Sequence, residues 1–234
     1  MISIKYLFVL LLSALVLLIT GCAPKQNLIT KGEMFPKMYE QQPKSLLILP
    51  PMNESTDAEA KDYYLTTVEQ PFGMMGYYVL PTELVSDVMK QEGIVNTETL
   101  YGLPLNKLQE YFGADAVIYT HIKKWNVSYM VVASTLTVSI ESEMVSTKTS
   151  EKLWSYTGTV VQNLSSNSNS GGGLAQLVVN LVETAINTAA ADYVKYARVA
   201  NARLLTSVPV GPYHPFYLKD QGTMILNQQA TLPQ

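Results

Sequence analysis

The sequence predicts a single α/β domain, in two or three layers, with a mixed sheet and a long C-terminal helix. Three observations predict it. Early apolar runs bounded by proline and glycine alternate with stretches of helical periodicity, the order of crossover units with parallel strands. From Val132 to Met144 apolar and polar residues alternate with period two, as in an antiparallel strand with one wet face. The 234 residues are 47% hydrophobic and 15% charged, enough apolar chain for one sizeable core and too little charge for disorder.

The elements follow in order. Ser45-Leu-Leu-Ile-Leu49 is a continuous apolar run stopped by Pro50-Pro51, a buried strand. Thr56 with Glu59 fits a capping box, and a helix is expected from about Asp57 to Gln70, where Pro71 ends or kinks it. Gly76 leads into a second strand, Tyr77 to Leu80, stopped by Pro81. Thr82 then caps a helix to about Gln91, with Leu84, Val85, Val88 and Met89 on one face. Residues 92–103 are expected as loop. Pro104 opens a short helix, Leu105 to Phe112, closed by Gly113. Ala114 to Ile122 is the third strand. Val132 to Met144 and Lys152 to Gln162 form an antiparallel hairpin about the turn Ser146 to Glu151. Residues 164–173 are a polar, glycine-rich loop, and Leu174 to Ala200 is one long helix. The order is β-α-β-α-α-β-β-β-α.

Residues 1–21 form a signal peptide: Lys5, an apolar run from Tyr6 to Ile19, then Thr20 and Gly21. The run is shorter than the about 20 residues that a bilayer span needs. Ile19-Thr20-Gly21-Cys22 resembles the bacterial lipobox. By that resemblance the Cys22 thiol takes a diacylglycerol group, a lipoprotein signal peptidase cuts between Gly21 and Cys22, and the new amine is acylated with a palmitate-type chain. Burying acyl chains is worth about 0.8 kcal/mol per CH₂, so two or three chains anchor durably. Ala23, not Asp, follows Cys22, which by resemblance to Gram-negative sorting implies the outer membrane, with the domain facing the periplasm. Residues 22–44 are then the lipidated N-terminus and a tether, whose second half Met34, Phe35, Met38 and Tyr39 would hold in order. Residues 45–206 are the domain, and 207–234 a Pro/Gly-rich tail.

Few residues suggest chemistry. One cysteine and two histidines, His121 and His214, provide neither a disulfide framework nor metal-ligand spacing. A net charge of −3 offers no basic field for nucleic acid. No phosphate loop, dinucleotide fingerprint or nucleophile elbow is present, so no cofactor is expected. Gly171-Gly172-Gly173 precedes a helix but lacks the lysine and hydroxyl of a phosphate loop. Glu141 and Glu143 share one strand face at about 7 Å spacing, a separation that acid–base catalysis can use. A solvated strand face carries such pairs routinely. Glu54, Asp57 and Glu59 suit a helix start. Fifteen tyrosines, Tyr63-Tyr64, Tyr77-Tyr78, Tyr213 and Tyr217 among them, serve core packing or a binding surface. Small residues at 185 and 189–191 permit close helix–helix approach.

Four segments carry a family resemblance: Leu49-Pro50-Pro51-Met52-Asn53, Gly76 to Pro81, Gly113-Ala114-Asp115-Ala116-Val117, and Gly211-Pro212-Tyr213-His214-Pro215. Together they resemble the bacterial lipoproteins related to a neisserial genome-derived antigen, over roughly residues 34–220. The Gly-Ala-Asp-Ala-Val start and the meander after it are also similar to a wider periplasmic group. That group includes the curli secretion channel lipoprotein, the LpoB-type synthase activators and the N-terminal domain of TolB. The resemblance implies a compact α/β domain, self-association or contact with other envelope lipoproteins, and no defined catalytic residues. The resulting expectation is a non-catalytic scaffold or accessory component of an envelope assembly or transport system. The alternatives are a ligand-binding or hydrolytic lipoprotein using Glu141/Glu143 or the tyrosines, and a subunit of a secretion pore.

Overall fold

A computed structural model describes residues 27–94, 96–129, 134–163 and 191–227. The expected signal peptide, Cys22, the expected glycine-rich loop and residues 174–190 of the expected long helix lie outside these residues. The chain begins with β1 (Leu28–Thr30), α1 (Lys31–Met34) and α2 (Pro36–Gln41). It continues through β2 (Ser45–Ile48), β3 (Met52–Asn53), α3 (Ala60–Met74), β4 (Tyr78–Val79), α4 (Thr82–Gln91), α5 (Thr97–Tyr101) and α6 (Leu105–Phe112). Then come β5 (Ala116–Tyr129), β6 (Ser134–Ser146), β7 (Lys152–Asn163), α7 (Ala191–Ser207) and β8 (Met224–Leu226). The main sheet runs β4-β2-β5-β6-β7, with β3 also beside β5, and β1 and β8 form a separate ribbon. β2 is parallel to β4 and β5, whereas β5, β6 and β7 form an antiparallel meander. This is the mixed α/β architecture the sequence predicts.

The sheet has two kinds of face because its halves differ. Leu46 and Ile48 of β2 pack into one core with Tyr64, Val68, Phe72, Ile118 and Trp154, under α3 and α7. Leu47 and Leu49 point the other way, into a second core with Val85, Met89, Leu100 and Leu108 from α4, α5 and α6. A strand buried on both faces must be apolar throughout, which is why 45–49 shows no alternation. β6 alternates because the described helices cover one side of it: Leu136, Val138, Ile140 and Met144 are buried, while Glu141 is exposed. A bulge between Ile122 and Lys124 re-aims β5, so that Ile122 and Trp125 both reach the first core.

Several boundaries differ from expectation, each for a local reason. α3 starts at Ala60 rather than Asp57, and Thr56 makes no capping box. Instead the Asn53 side chain accepts from the Ser55 N–H (3.1 Å) and donates to the Asp57 carbonyl (2.7 Å), holding the entry as a turn. Pro71 does not end α3: it sits in the last turn, buried beside Phe72, and the helix closes four residues on when Met75 N–H donates to the Pro71 carbonyl (3.1 Å). α4 spans the expected residues, but Leu84 lies off the buried stripe of Thr82, Val85 and Met89. Residues 97–101, expected as loop, form α5, because the Asn96 side chain accepts from Thr99 N–H at 2.7 Å. α7 runs on to Ser207. Residues 28–41 hold a strand and two helices, and the C-terminal segment, expected as irregular, contains β8.

Candidate functional site

The second face of the sheet carries the chemistry-bearing residues, and a broken strand shapes it. Three residues lie between Ile48 and Met52 where two lie between their partners Ile118 and His121. The intervening Pro50 and Pro51 have no N–H to give β5. Tyr101, at the end of α5, fills the gap. Its hydroxyl donates to the Thr120 carbonyl at 2.7 Å and accepts from the Thr120 N–H at 2.9 Å. Burial pushes the Tyr101 phenol well above its ordinary pKa, so it keeps the proton it donates. The rings of Tyr119 and His121 meet Tyr101 edge-on, with centroids 5.0 and 5.6 Å away.

Beyond Tyr101 no helix among the described residues covers β5 to β7, and a charged stripe crosses them. His121 Nδ1 is 2.8 Å from Glu54 Oε1, and Lys123 Nζ donates to both Glu54 oxygens at 2.9 and 2.8 Å. These bonds, from Lys123 first and His121 second, hold the Glu54 carboxyl below its usual pKa, and Glu54 in turn raises Lys123. Lys123 also stands 3.6 Å from Glu141, while Glu143 pairs with Lys152 at 2.6 Å. Glu141 and Glu143 therefore do share a face, but each faces its own lysine. They do not converge on a common point, as an acid–base pair acting on one bond requires. Among the described residues no group of three or more His, Cys, Asp or Glu is placed to hold a metal. His214 lies far along the chain, accepting from Phe216 N–H at 3.2 Å, and takes no part in the stripe.

The residues singled out in the four segments meet as structural joints. Gly76 and Gly211 touch backbone to backbone: Gly211 N–H donates to Met75 O at 2.8 Å, and Tyr213 N–H to Gly76 O at 3.0 Å. A Cβ on Gly76, whose φ is +82°, would lie 2.4 Å from His214 N, and one on Gly211 2.4 Å from Gly76 O. Tyr77 completes the joint by donating to Pro209 O at 2.7 Å. Asp115 accepts from Lys44 N–H (3.0 Å), Ser45 N–H (3.2 Å) and Lys148 Nζ (2.6 Å), clipping the start of β2 to the β6–β7 turn. Burial alone would raise the Asp115 carboxyl; the bonds from Lys148, Lys44 and Ser45 outweigh it and hold it low. A further tie escaped the sequence reading. Buried Lys31 donates to Val208 O at 2.7 Å and faces Asp220 Oδ2 at 3.4 Å, and Asp220 also accepts from Tyr39 and from Val210 N–H. Its members lie 189 positions apart, and no local pattern marks such a pair.

The fold and its joints define a class: a mixed α/β domain whose distinguishing residues shape the backbone. The family described as "Putative lipoprotein GNA1162-like" matches residues 35–212, and the chain belongs to it. A lipoprotein of Neisseria meningitidis serogroup B, NMB1124/NMB1162, is 34% identical over 149 residues, covering 63% of this chain and 69% of the relative. The crystal structure of lipoprotein GNA1162 from Neisseria meningitidis superposes with a TM-score of 0.53 at 34% identity, over 61% of this chain and all of that one. The LpoB C-terminal domain from Salmonella enterica is 18% identical, with a TM-score of 0.37 over 57% of this chain and 96% of that one.

Proposed function

We propose that this protein is an outer-membrane lipoprotein, held by acylated Cys22 with its domain toward the periplasm. It acts there by binding, without catalysis, as a scaffold or accessory component of an envelope assembly or transport system. The observation that carries the reading is the apolar run closing on Ile19-Thr20-Gly21-Cys22 in a chain of a lipoprotein family. The geometry supports binding over hydrolysis, since the candidate carboxylates Glu141 and Glu143 are paired to separate lysines. Its partners are the membrane, through Cys22, and a second copy or other envelope lipoproteins.

Labelling with radioactive palmitate and intact-mass analysis test the anchor. Cys22 carries acyl chains after cleavage at Gly21, the label follows the outer-membrane fraction, and Cys22→Ala loses both. An unmodified Cys22, or label in the inner membrane, refutes that part. Crosslinking in whole cells tests the binding role, which fails if the acylated protein forms no specific adduct with itself or an envelope protein.

A further inference from the structure

The β1–β8 ribbon has an inner and an outer face. Its register pairs Leu28 with Leu226, Ile29 with Ile225 and Thr30 with Met224. Ile225 is buried and Ile29 packs on the core. Alternation then puts Leu28, Leu226 and Met224 outward together, and they are 45%, 59% and 53% exposed. Exposed apolar side chains grouped on one small face call for a covering partner.

The face also lacks charge. Residues 27–30 and 221–227 include no Asp, Glu, Lys or Arg. Of the flanking charges, Lys31 and Asp220 are buried against each other, while Glu33, bonded to Thr30, and Lys219 stay exposed beside the ribbon rather than on this face. An apolar surface without charges enters a lipid interface with little desolvation cost.

The chain supplies the occupant. Five residues lead from Cys22 to Asn27, where the described structure begins. Even fully extended they span roughly 17 Å, about half the thickness of a bilayer's hydrocarbon core. An acylated Cys22 at the headgroup level thus keeps β1 close to that level, on a leash too short to let the domain drift away.

We infer that the outer face of the β1–β8 ribbon, Leu28, Met224 and Leu226, rests on the leaflet that holds the anchor. This rests on the acylation of Cys22 proposed above. The ribbon lies on the α3–α7 side of the sheet, so lipid contact at Leu226 leaves the charged stripe on the opposite side.

The test uses the full acylated protein, purified from membranes and reconstituted in phosphatidylethanolamine–phosphatidylglycerol vesicles. With Cys22 acylated, Leu226→Cys and Met224→Cys each provide one free thiol for a nitroxide label, and exposed Leu84→Cys is the control. Intact mass is read first on every sample. In acylated samples the labels at 224 and 226 relax severalfold more with lipid-soluble oxygen, relative to a water-soluble nickel chelate, than the label at 84. Equal ratios at the three positions overturn the ribbon contact while leaving the anchor intact. Shielding of 224 and 226 from both agents overturns it too, since that places protein, a second copy included, on the face. An unacylated Cys22 overturns the anchor reading and this inference together.

Discussion

Tyr101→Phe removes one oxygen and tests whether the break in the β2–β3 strand is held by a side chain. The hydroxyl serves the Thr120 N–H and carbonyl. No backbone can replace it, because Pro50 and Pro51 face this stretch of β5 and have no N–H. Each buried group left unsatisfied costs about 1–3 kcal/mol. Tyr101 is only partly buried, so water reaches some of the vacated space, and the lower part of that range applies. The sum for the variant is about 2–4 kcal/mol. For a domain of this size each kcal/mol is worth about 2–4 °C, which puts the melting transition roughly 4–16 °C lower. Urea denaturation should show a lower midpoint at unchanged slope, and the Thr120 amide should exchange faster with solvent. Tyr119→Phe is the control. Its ring packs on Tyr101, but its hydroxyl makes no hydrogen bond among the described residues, and its loss should stay within about 0.5 kcal/mol. A Tyr101→Phe loss that small, or an unchanged Thr120 exchange rate, would refute the bridging role.

Other expectations follow from the joints. Gly211→Ala drives a methyl group to 2.4 Å from the Gly76 carbonyl oxygen and should cost about 1–3 kcal/mol by chemical denaturation; a neutral result would mean that the two backbones do not touch. Asp115 is held below its ordinary carboxyl pKa, so its contribution is complete above the unfolded value of about 3.9 and is lost as pH falls through the lower folded value. Asp115→Asn should cost on the order of 1 kcal/mol at neutral pH. The gap from the native protein should close in acid below about pH 4, and a pH-independent gap counts against the charge. Lys31→Met strands Asp220 in a buried site, at a cost of about 3–5 kcal/mol. Adding Asp220→Asn should recover part of it, and failure to recover would show that packing, rather than charge, holds the tie.

How much the sequence told depended on how local each signal was. Helix 105–112 was legible to the residue because Pro104 and Gly113 punctuate it; Gly113 takes φ +64° at the end of α6. Helix 82–91 was nearly so, although Thr82, expected as its cap, is its first residue and Pro81 takes the cap position. The wet face of the hairpin was legible because period-two alternation records burial on one side. α5 was missed because five residues show no periodicity, and Asn96 alone marked its start. β8 was missed because its partner, β1, lies near the other end of the chain, and three-residue strands have no pattern of their own. Of the candidate site, the shared face of Glu141 and Glu143 could be read, but not Lys123 or Lys152, which arrive from neighbouring strands. Gly76 and Gly211 stood out in separate segments, and only the fold shows that they touch.

That contact bears on how the two ends of the described domain are held. The N-terminal residues are not a free spacer: β1 pairs with β8, Gly32 N–H donates to Gln221 O at 2.9 Å, and Lys31 is bound to Val208 and Asp220. The C-terminal segment is fastened in turn to Gly76 and Tyr77, beside β4. Force applied at Cys22 would thus enter the sheet through several bonded joints instead of one covalent strand. A domain that only needed to stay near a membrane could hang on a polar linker, at no ordering cost. Burying a lysine–aspartate pair to stitch both ends together costs desolvation, which suits a domain whose orientation matters. With the ribbon on one side of the sheet and Glu54, His121, Lys123 and Glu141 on the other, a fixed orientation would, under the function proposed above, turn the charged stripe away from the anchoring leaflet.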